Sequence, residues 1–261
     1  MHRLGEIVII GGGCYGSFYL EQLIKAREAG AVEWRRLLVI DRDPACQVAR
    51  ESSLRQGCEL VASEWGEFLD GWLVAGDRGD ADRLVPSPLM PHLMAEWLLR
   101  RASEAWPDRH VALVPADRPA GTPFEFLNDR DGVRYLSHAD WTCPVHCIEP
   151  ATCPVIKAPR KWEMGDTVTR WTVEQARRQP TAGPVLFTCR HLTHGVGMYP
   201  VTQGFAALRE LARLVDRHGR GDLVVGSISA CHGAVALLSV ESEGTRVPAA
   251  GGTLGGSLTF G

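Results

Sequence analysis

Three cysteines, Cys143, Cys147 and Cys153, fall within eleven residues of the segment WTCPVHCIEPATCPVIKAPRKW, and two of them are followed directly by proline. The spacing is C-x3-C-x5-C. Pro144 is suited to begin a single helical turn that sets Cys147 one turn beyond Cys143, and Pro150 stops that turn from lengthening. The chain can then fold Cys153 back toward the other two. Cysteines bind metals as thiolates, and three converging thiolates repel one another unless a cation lies among them. Zinc sites are commonly built from C-x2-C pairs, which a three-residue gap fits poorly. Cys-Pro pairs recur in ferredoxin-like cluster motifs, where the proline shapes the loop and keeps water from the sulfurs. The expectation is an iron–sulfur cluster, with zinc as the alternative. The spacing matches none of the familiar ferredoxin runs, and it lacks the C-x3-C-x2-C of radical S-adenosylmethionine enzymes. Buried apolar thiols are the competing explanation.

Further potential ligands stand in the last third. FTCRHLTH delivers Cys189, His191 and His194 at the end of an apolar run, and SACHG places Cys231 and His232 between two more. Cys189 is the expected fourth metal ligand, with Cys231 close behind. His191, His194 and His232 are the candidate catalytic residues, as proton donors or acceptors, because histidine titrates near neutral pH. No Ser-His-Asp order and no H-E-x-x-H signature supports hydrolase chemistry. Lys157, Arg160 and Lys161 follow the cysteines at once and are placed to offset cluster charge, to hold an acidic ligand, or simply to face water. Trp141 and Trp162 bracket the segment as a shield from solvent.

The chain opens differently. EIVIIGGGCYGSFYLEQLIKAREAG begins with an apolar β-branched run at residues 7–10, turns on glycines, and continues with Phe18, Leu20, Leu23 and Ile24 at helical spacing. RRLLVID then supplies a second strand that ends on Asp41. Gly11, Gly13 and Gly16 form GxGxxG. Gly11 permits the turn, Gly13 leaves room for a pyrophosphate and Gly16 lets helix and strand approach. The helix N-terminus offers N–H groups to phosphates, and Asp41 is placed to accept hydrogen bonds from a ribose. Cys14 and Tyr15, inside the motif, join these residues as candidate cofactor contacts. Through about residue 43 this unit resembles the NAD(P)-binding Rossmann superfamily. The resemblance implies NAD, with NADP or FAD as alternatives, and a doubly wound sheet. Arg42 leaves NADP open, while the carboxylate of Asp41 favours NAD.

The elements needed to position these groups give an α/β expectation: a Rossmann-like, doubly wound, mainly parallel sheet with an irregular cysteine-rich second half. Residues 58–65 read as a third strand, 66–74 as a short helix, and Leu84–Val85 as a short strand. Residues 91–105 read as a helix with Leu93, Met94, Trp97, Leu98 and Ala102 on one face and His92 near its start. HVALVPA is then expected to complete the first sheet. The organisation reads as a dinucleotide domain at 1–116, a Cys/His-rich α/β region at 117–250 and a glycine-rich tail at 251–261. Within the second region, strands are expected within residues 133–143, leading into the cysteines, and over 185–188, and helices over 165–180 and 205–217.

Composition narrows the function classes. A formal net charge of -3 with 45% hydrophobic and 23% charged residues describes an ordinary globular chain, with no polyanion-binding character. No segment reaches the roughly 18 apolar residues that span a bilayer, and the opening residues lack a secretory h-region. Cytoplasmic location, no nucleic-acid partner and no membrane partner are therefore expected. In a reducing compartment eight cysteines are metal ligands or buried thiols rather than a disulfide framework.

The functional expectation is an NAD(P)-dependent oxidoreductase or electron-transfer protein with a cysteine-ligated iron–sulfur centre. It would act on a small molecule or a redox partner protein. A hydride carries two electrons and a simple cluster takes one at a time, which counts against direct transfer between them. The alternatives are an NAD(H)-sensing regulatory or assembly subunit with a structural zinc, and a metal- or tetrapyrrole-handling enzyme that uses NAD.

Overall fold

Ile7, Val8, Ile9 and Ile10 are all buried, and they divide by parity: Ile7 and Ile9 enter one hydrophobic cluster, Val8 and Ile10 another. A strand that is apolar on every residue has to be covered on both faces. The computed structural model, which describes residues 1–74, 78–116, 118–128, 130–144 and 147–242, supplies that cover.

The first strand, β1 (His2–Ile10), leads through the glycine turn into α1 (Cys14–Glu28) and back to β2 (Val32–Asp41). Two short helices, α2 (Gln47–Arg50) and α3 (Ser52–Arg55), precede β3 (Glu59–Ala62), α4 (Trp65–Val74) and β4 (Arg83–Val85). These strands form a four-stranded sheet, β3-β2-β1-β4, in which every pairing is parallel. Leu20 and Leu23 of α1 pack on the Ile7 and Ile9 face, while Leu69 and Trp72 of α4 pack on the Val8 and Ile10 face.

The remainder builds a second sheet. Its elements are α5 (Leu93–Ala105), β5 (Val111–Val114), β6 (Phe124–Asn128), β7 (Val133–Ser137), β8 (Thr152–Cys153), β9 (Ala158–Pro159) and α6 (Met164–Ala176). They are followed by β10 (Thr181–Thr188), β11 (Arg190–Thr193), β12 (Val196–Met198), α7 (Gln203–His218), β13 (Gly221–Ile228) and β14 (His232–Val240). The sheet runs β10-β13-β14-β7-β6 and is mixed: β10 and β13 are parallel, and the other pairings are antiparallel. The protein is thus mixed α/β, with one parallel and one mixed sheet.

β5 does not complete the first sheet. It pairs antiparallel with Leu237–Val240 of β14, beside β7, which pairs with His232–Val235. The nine-residue length of β14 gives room for two partners end to end. A strand after a helix reads locally like one more parallel strand; only the long-range pairing chooses its sheet.

One core spans both sheets. Val8, Ile10, Leu38 and Ile40 of the parallel sheet share a cluster with Phe187, Leu223, Val225 and Leu238 of the mixed sheet, bridged by α4, α5 and α7. Met164, Val168 and Trp171 of α6 cover the far face of the mixed sheet, against Val224 and Val235. The layers are therefore α1, parallel sheet, α4/α5/α7, mixed sheet and α6. Hydrophobic packing is continuous across the expected boundary at residue 116. The expected tail at 251–261 lies outside the described residues.

Candidate functional site

The α5 and β10–β14 scaffold brings three separate pieces of chain to one cavity of about 270 Å3. The segment after β7, through β8, contributes Cys143, Cys147 and Cys153. The end of β10 contributes Cys189, and the β13–β14 turn contributes Cys231, so five of the eight cysteines border the same space. Cys46 and Cys58 lie instead in or against the core around α1, and Cys14 is exposed.

Local hydrogen bonds place each thiol. The Cys147 N–H donates to Pro144 O at 2.9 Å, closing the turn that the proline permits. Cys153 sits in the small β8–β9 ladder, where Lys157 N–H donates to Cys153 O and Arg160 N–H to Ala151 O. Cys189 N–H reaches Ile228 O at 2.6 Å, tying β10 to the hairpin that carries Cys231. Trp162 Nε1–H donates to Cys231 Sγ at 3.3 Å. This tryptophan is therefore a direct sulfur partner, beyond the shielding role expected of it, and it lies 6.1 Å from Trp141 and stacked on His138.

Glu149 fastens the loop to the hairpin. Its backbone N–H donates to Cys147 Sγ at 3.4 Å, and its carboxylate accepts from Ala230 N–H at 3.1 and 3.2 Å. The residue holds a φ of +52°, uncommon for a side chain with a Cβ. Arg160 lines the same cavity and donates to Glu149 O, whereas Lys157 and Lys161 face solvent. Of the three expected cations, one meets the thiols.

The histidines divide. His232 Nε2 lies 3.8 Å from Cys143 Sγ, while its Nδ1 lies 3.0 Å from Ser137 Oγ. Ser137 gives its own proton to Ala139 O, so its oxygen is left to accept from His232 Nδ1–H. That tautomer turns the unprotonated Nε2 toward Cys143. His191 also lines the cavity, and its Nδ1 is buried with no hydrogen-bond partner among the described residues. His194 stands apart: it is exposed in the β11–β12 turn with a φ of +46°. Gly197 on β12 makes the room, because a Cβ there would lie 2.6 Å from Cys189 Sγ and 2.8 Å from the His191 ring.

Electrostatics favour the protonated form of Cys143, Cys189 and Cys231 in the free protein. Burial pushes Cys143 up, and the neighbouring Cys147, Cys231, Cys153 and Glu149 add to it. Burial pushes Cys189 up to about 12, with Glu149 contributing. Cys231 is raised by burial, against which the Trp162 N–H works. A bound cation reverses this balance by stabilising the thiolates. Among the described residues no three Cys, His, Asp or Glu side chains close on one point as a lone ion requires; the thiols ring a space instead.

At the other expected site, Gly11 has a φ of +89° and turns the chain. A Cβ on Gly16 would lie 1.8 Å from Gly11 O, so only glycine permits this approach of helix to strand. A Cβ on Gly13 would meet nothing within 4 Å. Asp41 accepts from Gly12 N–H at 2.6 Å and from Asp43 N–H at 2.9 Å, so its carboxylate braces the turn. Cys14 and Tyr15 face a second, larger cleft.

Comparison with known proteins draws the line between these regions. Residues 94–241 match the family model AF_1314_C, described as "uncharacterized protein, C-terminal domain". The chain belongs to this family. The AF_1314_C segment runs from α5 through β14 and contains all five cavity cysteines, but not the glycine turn. Searches of curated proteins and of solved structures found no match. The resemblance to the NAD(P)-binding Rossmann superfamily is corrected accordingly: the matching family is a different one, and no NAD(P)-binding family was detected. A short glycine pattern between a strand and a helix also serves pure packing, as Gly16 illustrates.

Glu149, Ser137, Gly197 and the Trp162 bond to Cys231 were not legible in the sequence. The one available signal was position: Glu149 lies between two of the cysteines, and Gly197 follows the Cys189–His194 run.

Proposed function

We propose that this protein is a redox protein, an oxidoreductase or electron carrier, whose cysteine-lined cavity holds an iron–sulfur cluster. The observation that carries this reading is the meeting of five cysteines from three chain segments around one space, with Arg160 beside them. A cluster suits thiols that ring a cavity, whereas a structural zinc needs four donors at about 2.3 Å from one centre. Such a group supplies one-electron transfer. The chain's own residues would hold it through Cys143, Cys147, Cys153 and Cys189 or Cys231. Arg160 and the Trp162 N–H would offset its negative charge, and the Cys-Pro turns would limit water. His232 and His191, which line the cavity, would be the groups that exchange a proton there.

Two further parts of the proposal rest on other grounds. NAD at the glycine turn is supported by the open space over Gly13 and the positive-φ Gly11. A cytoplasmic setting follows from thiols that must stay reduced; no helix among the described residues is long and apolar enough to cross a membrane.

Anaerobic isolation tests the central claim. Brown protein with visible charge-transfer absorbance, containing iron and acid-labile sulfide, is the expected result. Colourless protein with stoichiometric zinc, or protein that takes up no iron and sulfide on reconstitution, overturns it.

A further inference from the structure

Beside the thiol cavity opens a cleft of about 980 Å3, within the size of sites that hold small organic molecules. The two spaces share a partition of Cys189, His191, Ser229 and His232. The cleft walls carry Tyr15 and Tyr19 from α1, Phe126 and Tyr135 from β6 and β7, and Phe187 and Tyr199. Tyr15 and Phe126 are 46% and 62% exposed, large ring surfaces left open at the rim. Aromatic faces of this kind stack on flat conjugated rings.

The polar groups restrict the occupant further. Among the described residues no lysine or arginine lines the cleft, and the one carboxylate lining it, Glu125, is engaged by Ala120, Gly121 and Thr122 N–H groups and by Arg134. Among the described residues a strongly charged ligand finds no lysine, arginine or unengaged carboxylate there. The Tyr199 hydroxyl, on a residue only 1% exposed, has no hydrogen-bond partner among the described residues, and neither has His191 Nδ1. An unpartnered buried hydroxyl is costly and is uncommon in folded proteins. A phenol carries its proton at neutral pH and is therefore able to donate.

We propose that the cleft binds a neutral, planar, conjugated ring bearing carbonyl oxygens. The ring lies between the aromatic walls, and a carbonyl oxygen accepts a hydrogen bond from Tyr199 beside Cys189. Isoalloxazine and quinone rings share this chemistry. The claim stands on the cleft's own walls and goes beyond the metal reading, so either can fail alone.

The test uses the full chain with two uncharged probes. Lumiflavin is followed by its own fluorescence. Duroquinone, which has no open ring position for a thiol to attack, is followed by quenching of tryptophan fluorescence. Saturable binding is expected for at least one probe, and the one that binds identifies the ring class. Tyr199→Phe should weaken it about tenfold, the worth of one hydrogen bond, and Phe126→Ala by a few-fold. In the free protein Tyr199→Phe should raise the thermal midpoint, because it removes an unpartnered hydroxyl; a structural tyrosine would lower it. Absence of saturable binding by both probes, or equal binding by the two variants and the parent, overturns the proposal.

Discussion

The glycine turn of the parallel sheet and the cysteine cavity of the mixed sheet are opposites in how sequence relates to geometry. The turn carries a motif whose every position has an assigned task, yet in the structure much of it is internally occupied. Gly16 packs against Gly11 O, and Asp41 holds backbone N–H groups. The cysteine segment fits no familiar spacing, yet its thiols meet two more from far along the chain. Motif regularity reports a local backbone requirement. Cysteines from distant segments that border one space mark a candidate site, which no local spacing announces.

Substitutions can break that contrast. The largest effect is expected from Cys147→Ser, which should abolish metal and sulfide incorporation while leaving NADH binding, measured by fluorescence titration, unchanged. Gly13→Val is the reciprocal case: its Cβ meets open space, so the fold and metal content should persist while any dinucleotide affinity is lost. Loss of NADH binding in the cysteine variant would join the two sites into one. Gly16→Val tests the structural side of the same motif. With the Cβ driven 1.8 Å from a carbonyl oxygen, chemical denaturation should show about 3 kcal/mol or more of destabilisation.

A smaller effect is expected from His92. It lies at the start of α5, almost wholly buried, with Nδ1 3.1 Å from Ser227 Oγ and no side-chain cap bond. Burial lowers its pKa to about 4, against which Asp131 works weakly. The native state thus keeps His92 neutral while the unfolded chain takes up a proton below its ordinary value near 6.5. Stability from this group is complete above that value and falls as pH drops from about 6.5 toward 4. The loss between pH 7 and pH 5 should be about 2 kcal/mol. His92→Gln should flatten that slope in urea melts at the two pH values. Smallest of all, Arg160→Gln should lower the reduction potential of a bound cluster without releasing it, as read by potentiometric titration.

Much of the fold could be read from periodicity: the apolar run Ile7–Ile10, the helix after the glycines and the two apolar runs on either side of Cys231 and His232 each follow from local pattern, although the antiparallel pairing of those two runs does not. The sheet assignment of β5 could not, because Val111–Val114 fits a parallel or an antiparallel neighbour equally well and β14 lies far along the chain. The site divides in the same way. Cysteine and histidine types announce themselves, and Cys231 was recognisable beside Cys189. Glu149 as the clasp between loop and hairpin was invisible, since a carboxylate between two cysteines has no signature until Ala230 N–H is found opposite it. His194 shows the converse: its sequence neighbourhood matches that of His191, but a two-strand turn carries it away into solvent.

Leu84 and Tyr199 exchange both of their backbone hydrogen bonds, at 2.9 and 3.0 Å, across otherwise separate sheets. This small splice pins the β11–β12 arm, with its glycine and histidine, to the edge of the N-terminal half. A fragment trimmed to residues 94–241 would lose the anchor as well as the apolar surface beneath it. The segment that defines the family thus leans on the segment outside it for the rigidity of its innermost wall.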